Sequence, residues 1–417
     1  MWVHLTNRIA LGCLFLALSN TVLAEEAVDF DAAIARTLES NPGLVSFGYQ
    51  VEAQQGLIRY SGMRPGVELG IDLENAVGTG AYSGVDAAEA TISLAWSLER
   101  GQRQRRVDAA RAGLSLLEAE AELKRLDVAA ETARLYLLSL AHQAQVGLAD
   151  EAVNLAAETV AVVKKRVQAG RTTKADLARA EVDLARMQLQ REDLEHKLQA
   201  SIRQLAAQWG ETRPAFGSVR GDLADLPEPD SFEVLVAKVA ENPALRRFMS
   251  ERRFREAELR RIEADAKPDW RFNVGIRQLQ LPNDQALVAG ITIPLGEKKR
   301  NEGRVAAARA DLARSDAERA ATRVQVETHL FVLYEELEHS LHRAVTLRDE
   351  ILPRVERALA ETQRAFAAGR YSYFELRAAQ DDALQARTEV TVALIDAHRN
   401  IIEIEALTGA ALSSPTR

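Results

Sequence analysis

The chain holds a single cysteine, Cys13, in 417 residues. Neither a disulfide framework nor a thiolate metal site can be built from one thiol. After residue 24 no apolar run approaches the roughly 20 residues that a membrane-crossing helix needs. Basic residues number 53 against 61 acidic ones, a formal charge of −8. No basic stripe stands clear of its acidic neighbours, which argues against nucleic acid as a partner. The histidines are scattered, and there is no glycine-rich phosphate loop and no nucleophile elbow. The sequence therefore predicts no catalytic residue, no cofactor and no resident metal. Glu335, Glu338, His339 and His342 fall at helical spacings that could hold a metal, but such clusters are common on solvated helix faces, and that bland reading is the better one.

The first 24 residues read as an export signal. Arg8 is the only charge, Ile9 to Leu18 form an apolar core, and Val22-Leu23-Ala24 precedes Glu25 as a cleavage site. Ala10-Leu11-Gly12-Cys13 is a poor match to a lipidation site, so removal of the segment is expected to leave a chain without cysteine.

What the chain does contain is a repeat of about 199 residues. Leu148-Ala149-Asp150-Glu151 recurs as Leu347-Arg348-Asp349-Glu350, Ala169-Gly170-Arg171 as Ala368-Gly369-Arg370, and Asn41-Pro42 as Asn242-Pro243. One plan is built twice. Each copy carries two alternating runs, Val67–Glu74 and Thr91–Leu98, then Trp270–Arg277 and Ala289–Leu295. A period of two with one apolar and one polar face predicts half-buried strands. Their length suits tilted membrane strands, and Trp96 and Trp270 suit an interfacial belt. A small sheet lying on the helices is the alternative. Four strands cannot close a barrel, and open edges are not tolerated in lipid. If the strands cross a membrane, several chains must share one barrel. The faces predict Glu68, Asp72, Arg271 and Arg277 toward a polar lumen, with Leu69, Ile71, Trp270 and Phe272 toward lipid.

Between the strand pairs proline is absent from Gln102 to Gln168 and only Gly113 and Gly147 intervene. Continuous helix there would extend roughly 100 Å. Two apolar seams at heptad spacing lie on opposite sides of it, one through Leu114, Leu117, Val128 and Leu135, the other through Leu123, Leu126, Ala130, Leu137 and Leu140. Two seams need a neighbour on each flank, as in a closed ring of helices. The helix from Thr173 to Ala207 repeats the design, with one seam through Leu177, Ala180, Leu184 and Met187 and another through Ala175, Ala178, Val182, Ala185 and Leu189. Pro353 and its counterpart Asn154 are expected to mark a girdle where the long helices change direction.

Gly170 and Gly369 suit left-handed helix ends, and Thr173 with Asp176, like Ser372 with Glu375, forms a capping box. Capping alone would explain these residues. Arg171, Arg370, Tyr371 and Tyr373 suit plain turns poorly, which favours a docking surface at paired hairpin tips made of Gly170, Arg171, Thr172, Thr173, Gly369, Arg370, Tyr371 and Ser372.

The duplicated strand–strand–long-hairpin order and the two Ala-Gly-Arg tips resemble the TolC-type outer-membrane efflux protein family. Leu98-Glu99-Arg100-Gly101-Gln102-Arg103, and Ala286 to Leu295 followed by Asn301-Glu302-Gly303-Arg304, are similar to its CzcC-like heavy-metal branch. The resemblance implies a mainly α chain with membrane β-strands, and a homotrimer forming a twelve-stranded β-barrel continued by a periplasmic α-helical barrel. It further implies a passive exit duct in the outer membrane of a Gram-negative bacterium, set in lipid and joined through a periplasmic adaptor to an inner-membrane RND transporter. Heavy-metal cations are the expected cargo. Drug or protein export through the same architecture and a periplasmic coiled-coil scaffold are the rivals. Tips of this family coil shut at rest. Asp176 and Glu375 are the aperture candidates, Glu375 by its position after the hairpin glycine, while Ala378 occupies the place of a second acidic residue. The implied plan is signal 1–24, N-terminal helical segment 25–66, first strand hairpin 67–98, first helical hairpin 99–215, linker 216–266, second strand hairpin 267–296, second helical hairpin 297–409 and tail 410–417.

Overall fold

The structure, a computed structural model, describes residues 27–413 apart from 227–228, 240–241 and 282. The expected export signal, Cys13 and residues 414–417 of the tail lie outside the described residues. Two short helices, α1 (Phe30–Ser40) and α2 (Pro42–Ser61), lead into strands β1 (Glu68–Glu74) and β2 (Glu89–Leu98). Two long helices follow, α3 (Gln102–Gln168) and α4 (Lys174–Ala207). The second copy runs α5 (Phe232–Val239), α6 (Pro243–Asp265), β3 (Trp270–Leu279), β4 (Asp284–Thr292), α7 (Glu297–Thr346), α8 (Leu352–Ala367) and α9 (Tyr373–Thr408).

α3 is one uninterrupted helix of 67 residues. With no proline inside it, every interior amide keeps its partner. The expected change at Asn154 is absent: α3 runs straight through that position. The second copy differs there. A π turn, Leu347–Ile351, separates α7 from α8 just before Pro353. Proline has no N–H to offer the carbonyl four residues back, so the chain takes a wider turn there.

Asn41 and Asn242 explain why the Asn-Pro pair is repeated. Asn41 Oδ1 accepts from the amides of Gly43 (2.9 Å) and Leu44 (3.1 Å), capping α2, while Nδ2 donates to the Gln208 carbonyl at 2.7 Å. Asn242 caps α6 through Ala244 N (2.6 Å), and its Nδ2 donates to the Leu407 carbonyl. Each asparagine thus ties the start of its repeat to the end of the long hairpin. One side chain performs both tasks because an amide offers an acceptor and a donor together.

The main core forms where these ends meet. Phe30, Tyr136, Leu140, Leu205, Trp209, Phe216 and Val219 belong to one buried cluster. Phe30 and Tyr136 pack edge to face at 5.4 Å, and Val28 pairs with Val219 in a single parallel bridge. The Tyr136 hydroxyl lies against the carbonyls of Val28 (3.0 Å) and Arg220. Burial pushes this phenol's pKa up. A second cluster, with Leu235, Leu245, Leu330, Leu337 and Ile401, serves the other copy.

The four strands form one antiparallel sheet in the order β1-β2-β3-β4. Strand β4 differs from expectation, beginning at Asp284 and ending at Thr292 rather than spanning Ala289–Leu295. Leu287-Val288 breaks the polar/apolar alternation at its start, and Pro294 cannot donate to a ladder at its end.

Candidate functional site: a two-faced sheet and a clasped hairpin tip

The register sorts every strand residue onto one of two faces. Ile71 lies opposite Ile92, Ile92 opposite Ile276, and Ile276 opposite Leu287. Leu69, Leu94 and Val274 make a second apolar row, and Trp96, Phe272 and Ile291 a third. The opposite face carries Asp72, Thr91 and Arg277 in one row, and Glu68, Ala95 and Asn273 in another. All four sequence-predicted lumen residues, Glu68, Asp72, Arg271 and Arg277, therefore share the polar face. Arg277 is not free there: it pairs with Glu74 (2.8 Å) and Glu89 (2.7 Å), and Nε donates to Thr91 Oγ1 at 3.0 Å.

Among the described residues nothing covers the apolar face. Ile71 is 72% exposed and Leu287 76%, and Leu69, Leu73, Ile92, Leu94 and Ile276 are exposed with them. Soluble monomers rarely expose so contiguous an aliphatic surface, and such patches mark contact with a partner or a membrane. The ring pairs Trp96–Phe272 (6.0 Å) and Trp270–Phe272 (6.4 Å) gather at the helix-proximal end of the same face. Among the described residues β1 and β4 each leave one edge without a strand partner.

At the opposite end of the molecule the tips close as the residues predicted. Gly170 (φ +67°) and Gly369 (φ +79°) adopt the left-handed conformation. The next amides reach back to the carbonyls of Arg166 and Ala365, both at 2.9 Å, which satisfies the helix ends. Both capping boxes are present. Hydrogen bonds from Thr173 and Thr172 hold the Asp176 carboxyl below the usual carboxylate range, and those from Ser372 do the same for Glu375. Both aperture candidates thus have carboxylates turned to their own helix starts. Gly170, Arg171, Thr173, Gly369, Arg370, Tyr371 and Ser372 are exposed and Thr172 is half-buried. Tyr373, grouped with the exposed tip residues from sequence, is instead 5% exposed. Its ring sits in a small core with Val163, Ala180, Phe366 and Leu376, because it opens α9 on the face that meets the first hairpin.

This core carries a polar clasp between the two hairpins that sequence reasoning missed. Asp183 of α4 forms an ion pair with Arg377 of α9, and the Tyr373 hydroxyl donates to Asp183 Oδ2 at 2.7 Å. Arg377 also binds Asp381 at 2.8 Å. Burial raises the Asp183 pKa, but the hydrogen bonds from Arg377 and Tyr373 outweigh it and leave the carboxyl below its ordinary range. Burial, then the bond to Asp183, push Tyr373 up to about 12. Further along, Gln380 Nε2 donates to Thr159 Oγ1 (2.8 Å), and Arg387 bridges Glu151 (2.7 Å) and Glu356 (3.0 Å). A sequence signal for Asp183 existed: it is a charge set into the apolar seam of Leu177, Ala180 and Leu184. Lys174 and Ala178 stand 199 residues before Tyr373 and Arg377, so the clasp uses positions at which the two copies have diverged.

Glu335, Glu338, His339 and His342 lie on an exposed stretch of α7. Among the described residues no group of three or more histidine, cysteine or acidic side chains could hold a metal ion.

A sheet with one apolar and one polar face, set on helical hairpins that close at a far tip, defines an outer-membrane efflux channel. Residues 33–211 match the family described as Outer membrane efflux protein. The chain is also similar to the cobalt-zinc-cadmium resistance protein CzcC of Cupriavidus metallidurans, at 26% identity over 357 residues, 86% of this chain and 84% of that protein. Solved structures share the fold. The outer membrane protein VceC of Vibrio cholerae superposes with a TM-score of 0.75 at 18% identity, covering 92% of this chain and 97% of that one. CusC gives 0.76 at 14% identity over 93% and 96%.

Proposed function

We propose that the chain is one of three identical subunits of a passive, gated exit duct in the outer membrane, carrying heavy-metal cations out of the cell. The carrying observation is the four-stranded sheet with an uncovered apolar face and two unpaired edges. In lipid every backbone amide must find a partner, so β1 of one copy would pair with β4 of the next. Three copies would contribute twelve strands.

Uncovered helical seams support the same closure. Contacts run from α2 through α3 and α6 to α7 near the sheet, and from α4 through α3 and α9 to α8 toward the tip. α2 buries none of its residues and exposes Val45, Tyr49, Leu57 and Tyr60 along one side. α4 exposes Val182 and Leu189, both on its second predicted seam, and α7 exposes Val324, Phe331 and Val345 at multiples of seven residues. Such seams await helices from neighbouring subunits. The capped tips would dock a periplasmic adaptor that links the duct to an inner-membrane RND transporter, and the Asp183–Tyr373–Arg377 clasp would hold the tip closed until that engagement. Similarity to a cobalt-zinc-cadmium resistance protein supports metal cations as cargo.

Substitution on the two sheet faces tests the topology. Ile71→Arg places a charge mid-strand on the lipid side, at a cost of about 2–4 kcal/mol per subunit. It should abolish recovery of the oligomer from outer membranes, whereas Asp72→Asn should leave recovery unchanged. Equal tolerance at the two positions would defeat the assignment.

A further inference from the structure

The chain distributes its cations unequally between the two ends of the sheet. From Asp72 to Leu98 and from Gln278 to Glu297 there is no lysine or arginine. The far rim holds Asp72, Glu74, Asp86, Glu89 and Asp284, and its one arginine, Arg277, is bound to Glu74 and Glu89. At the helix-proximal end all four strand ends carry cations, beside the carboxylates Glu68, Glu99, Asp269 and Glu297, of which Glu99 is paired with Arg106 and Glu297 with Arg300. Arg64 lies three residues before Val67, Arg100 two after Leu98, Lys267 three before Trp270, and Lys298 and Lys299 follow Leu295. All five cations are exposed, and none is in an ion pair among the described residues.

Apolar residues of the strand ends adjoin these cations in sequence. Leu98 and Trp270 lie on the apolar face, and Val67 and Leu295, just outside their strands, are exposed, Leu295 to 90%. The Arg100 guanidinium lies 4.7 Å from the centre of the Trp270 ring, which fixes that charge beside the aromatic belt. Apolar anchors, an aromatic ring and then unpaired cations form the order in which a membrane leaflet presents acyl chains, interface and headgroups. A neutral surface would require no such cations, and a purely structural role would leave them ion-paired.

The geometry points to a basic collar that binds the phosphate headgroups of anionic phospholipids in the periplasmic leaflet of the outer membrane. Each cation contributes attraction to an anionic headgroup that decays within about 10 Å, so only charges at the strand ends can contribute. The inference rests on the sheet spanning the membrane, as proposed above.

Tryptophan quenching tests it. The mature protein is reconstituted in phosphatidylcholine vesicles in which a fixed fraction is replaced by dibrominated phosphatidylglycerol or dibrominated phosphatidylcholine. Trp96 and Trp270 report, while Trp209, buried in the helical core, gives a constant background. Brominated phosphatidylglycerol should quench with an apparent preference of about threefold or more over brominated phosphatidylcholine. Joint substitution of Arg64, Arg100, Lys267, Lys298 and Lys299 by glutamine should remove the preference, as should high salt, while Arg100→Lys keeps it. Circular dichroism checks that the variant remains helical. If it does not, the pair Lys298→Gln and Lys299→Gln should lower the preference part of the way. Equal quenching by the two lipids in the unaltered protein would overturn the collar, as would a preference that survives the five substitutions. Salt-sensitive sedimentation with purified peptidoglycan and no lipid preference would assign the cations to the cell wall instead. Quenching by neither lipid would remove the membrane reading itself, a separate failure from loss of headgroup selectivity.

Discussion

Asn41 and Asn242 concentrate more of the fold than any exposed charge does. Each caps a helix and donates to a carbonyl at the far end of its repeat. Asn41→Ala loses a cap worth about 1 kcal/mol and a hydrogen bond to Gln208 worth about 1 kcal/mol. The melting temperature followed by circular dichroism should fall clearly. Asn41→Asp keeps the acceptor and loses the donor, so it should fall by an intermediate amount. Equal loss for both would show that capping contributes nothing. Single residues were legible in the sequence where their chemistry is local. Gly170, Gly369 and the two capping boxes act within a few positions of themselves. The second task of each asparagine was hidden, since Gln208 and Leu407 lie more than 160 residues away.

At the scale of elements, the clasp joins α4 to α9 across 190 residues of sequence. Asp183 stands out locally only as a charge in an apolar seam and Arg377 not at all, and the tertiary contact alone shows that they are partners. Removing one partner of such a charge-assisted bond costs about 1.5–3 kcal/mol before solvent screening, and the site is only partly buried. Asp183→Ala and Arg377→Ala should each loosen the tip and raise single-channel conductance in planar bilayers, with the double variant no worse than the stronger single one. Additive effects would show that the two residues act separately. The pH dependence follows from the shifts. Asp183 has a depressed pKa, so its contribution is present above the ordinary carboxylate value of 3.8 and is lost as pH falls below it. Tyr373 is raised from 10.0 to about 12, so its contribution is complete below pH 10.0 and disappears as pH passes about 12. Conductance should therefore stay flat between these limits and rise outside them. A transition near neutrality would implicate another group. The helices and strands themselves were readable because period and length decide them. The start of β4 was not, because Leu287 and Val288 adjoin and only the register with β3 shows which of them faces outward. The continuity of α3 at Asn154 was also missed, since only Pro353 in the other copy removes an amide.

On the scale of the whole molecule, one chain is an incomplete object. Its sheet has two open edges and an oily face, and its flanking helices expose Tyr49 and Leu189. The duplicated order of strands and long helices was legible in the sequence, because each copy repeats its punctuation: Asn-Pro, strand pair, Ala-Gly-Arg. The clasp and the charge collar emerged only when distant segments were brought side by side. Closure of the wall by identical neighbours is the central claim. The most direct measurement is the number of protomers per particle in protein extracted from outer membranes with a mild detergent, counted by native mass spectrometry after detergent removal in the gas phase. Three is the expected count. A particle of one protomer, stable in buffer without detergent, would contradict it.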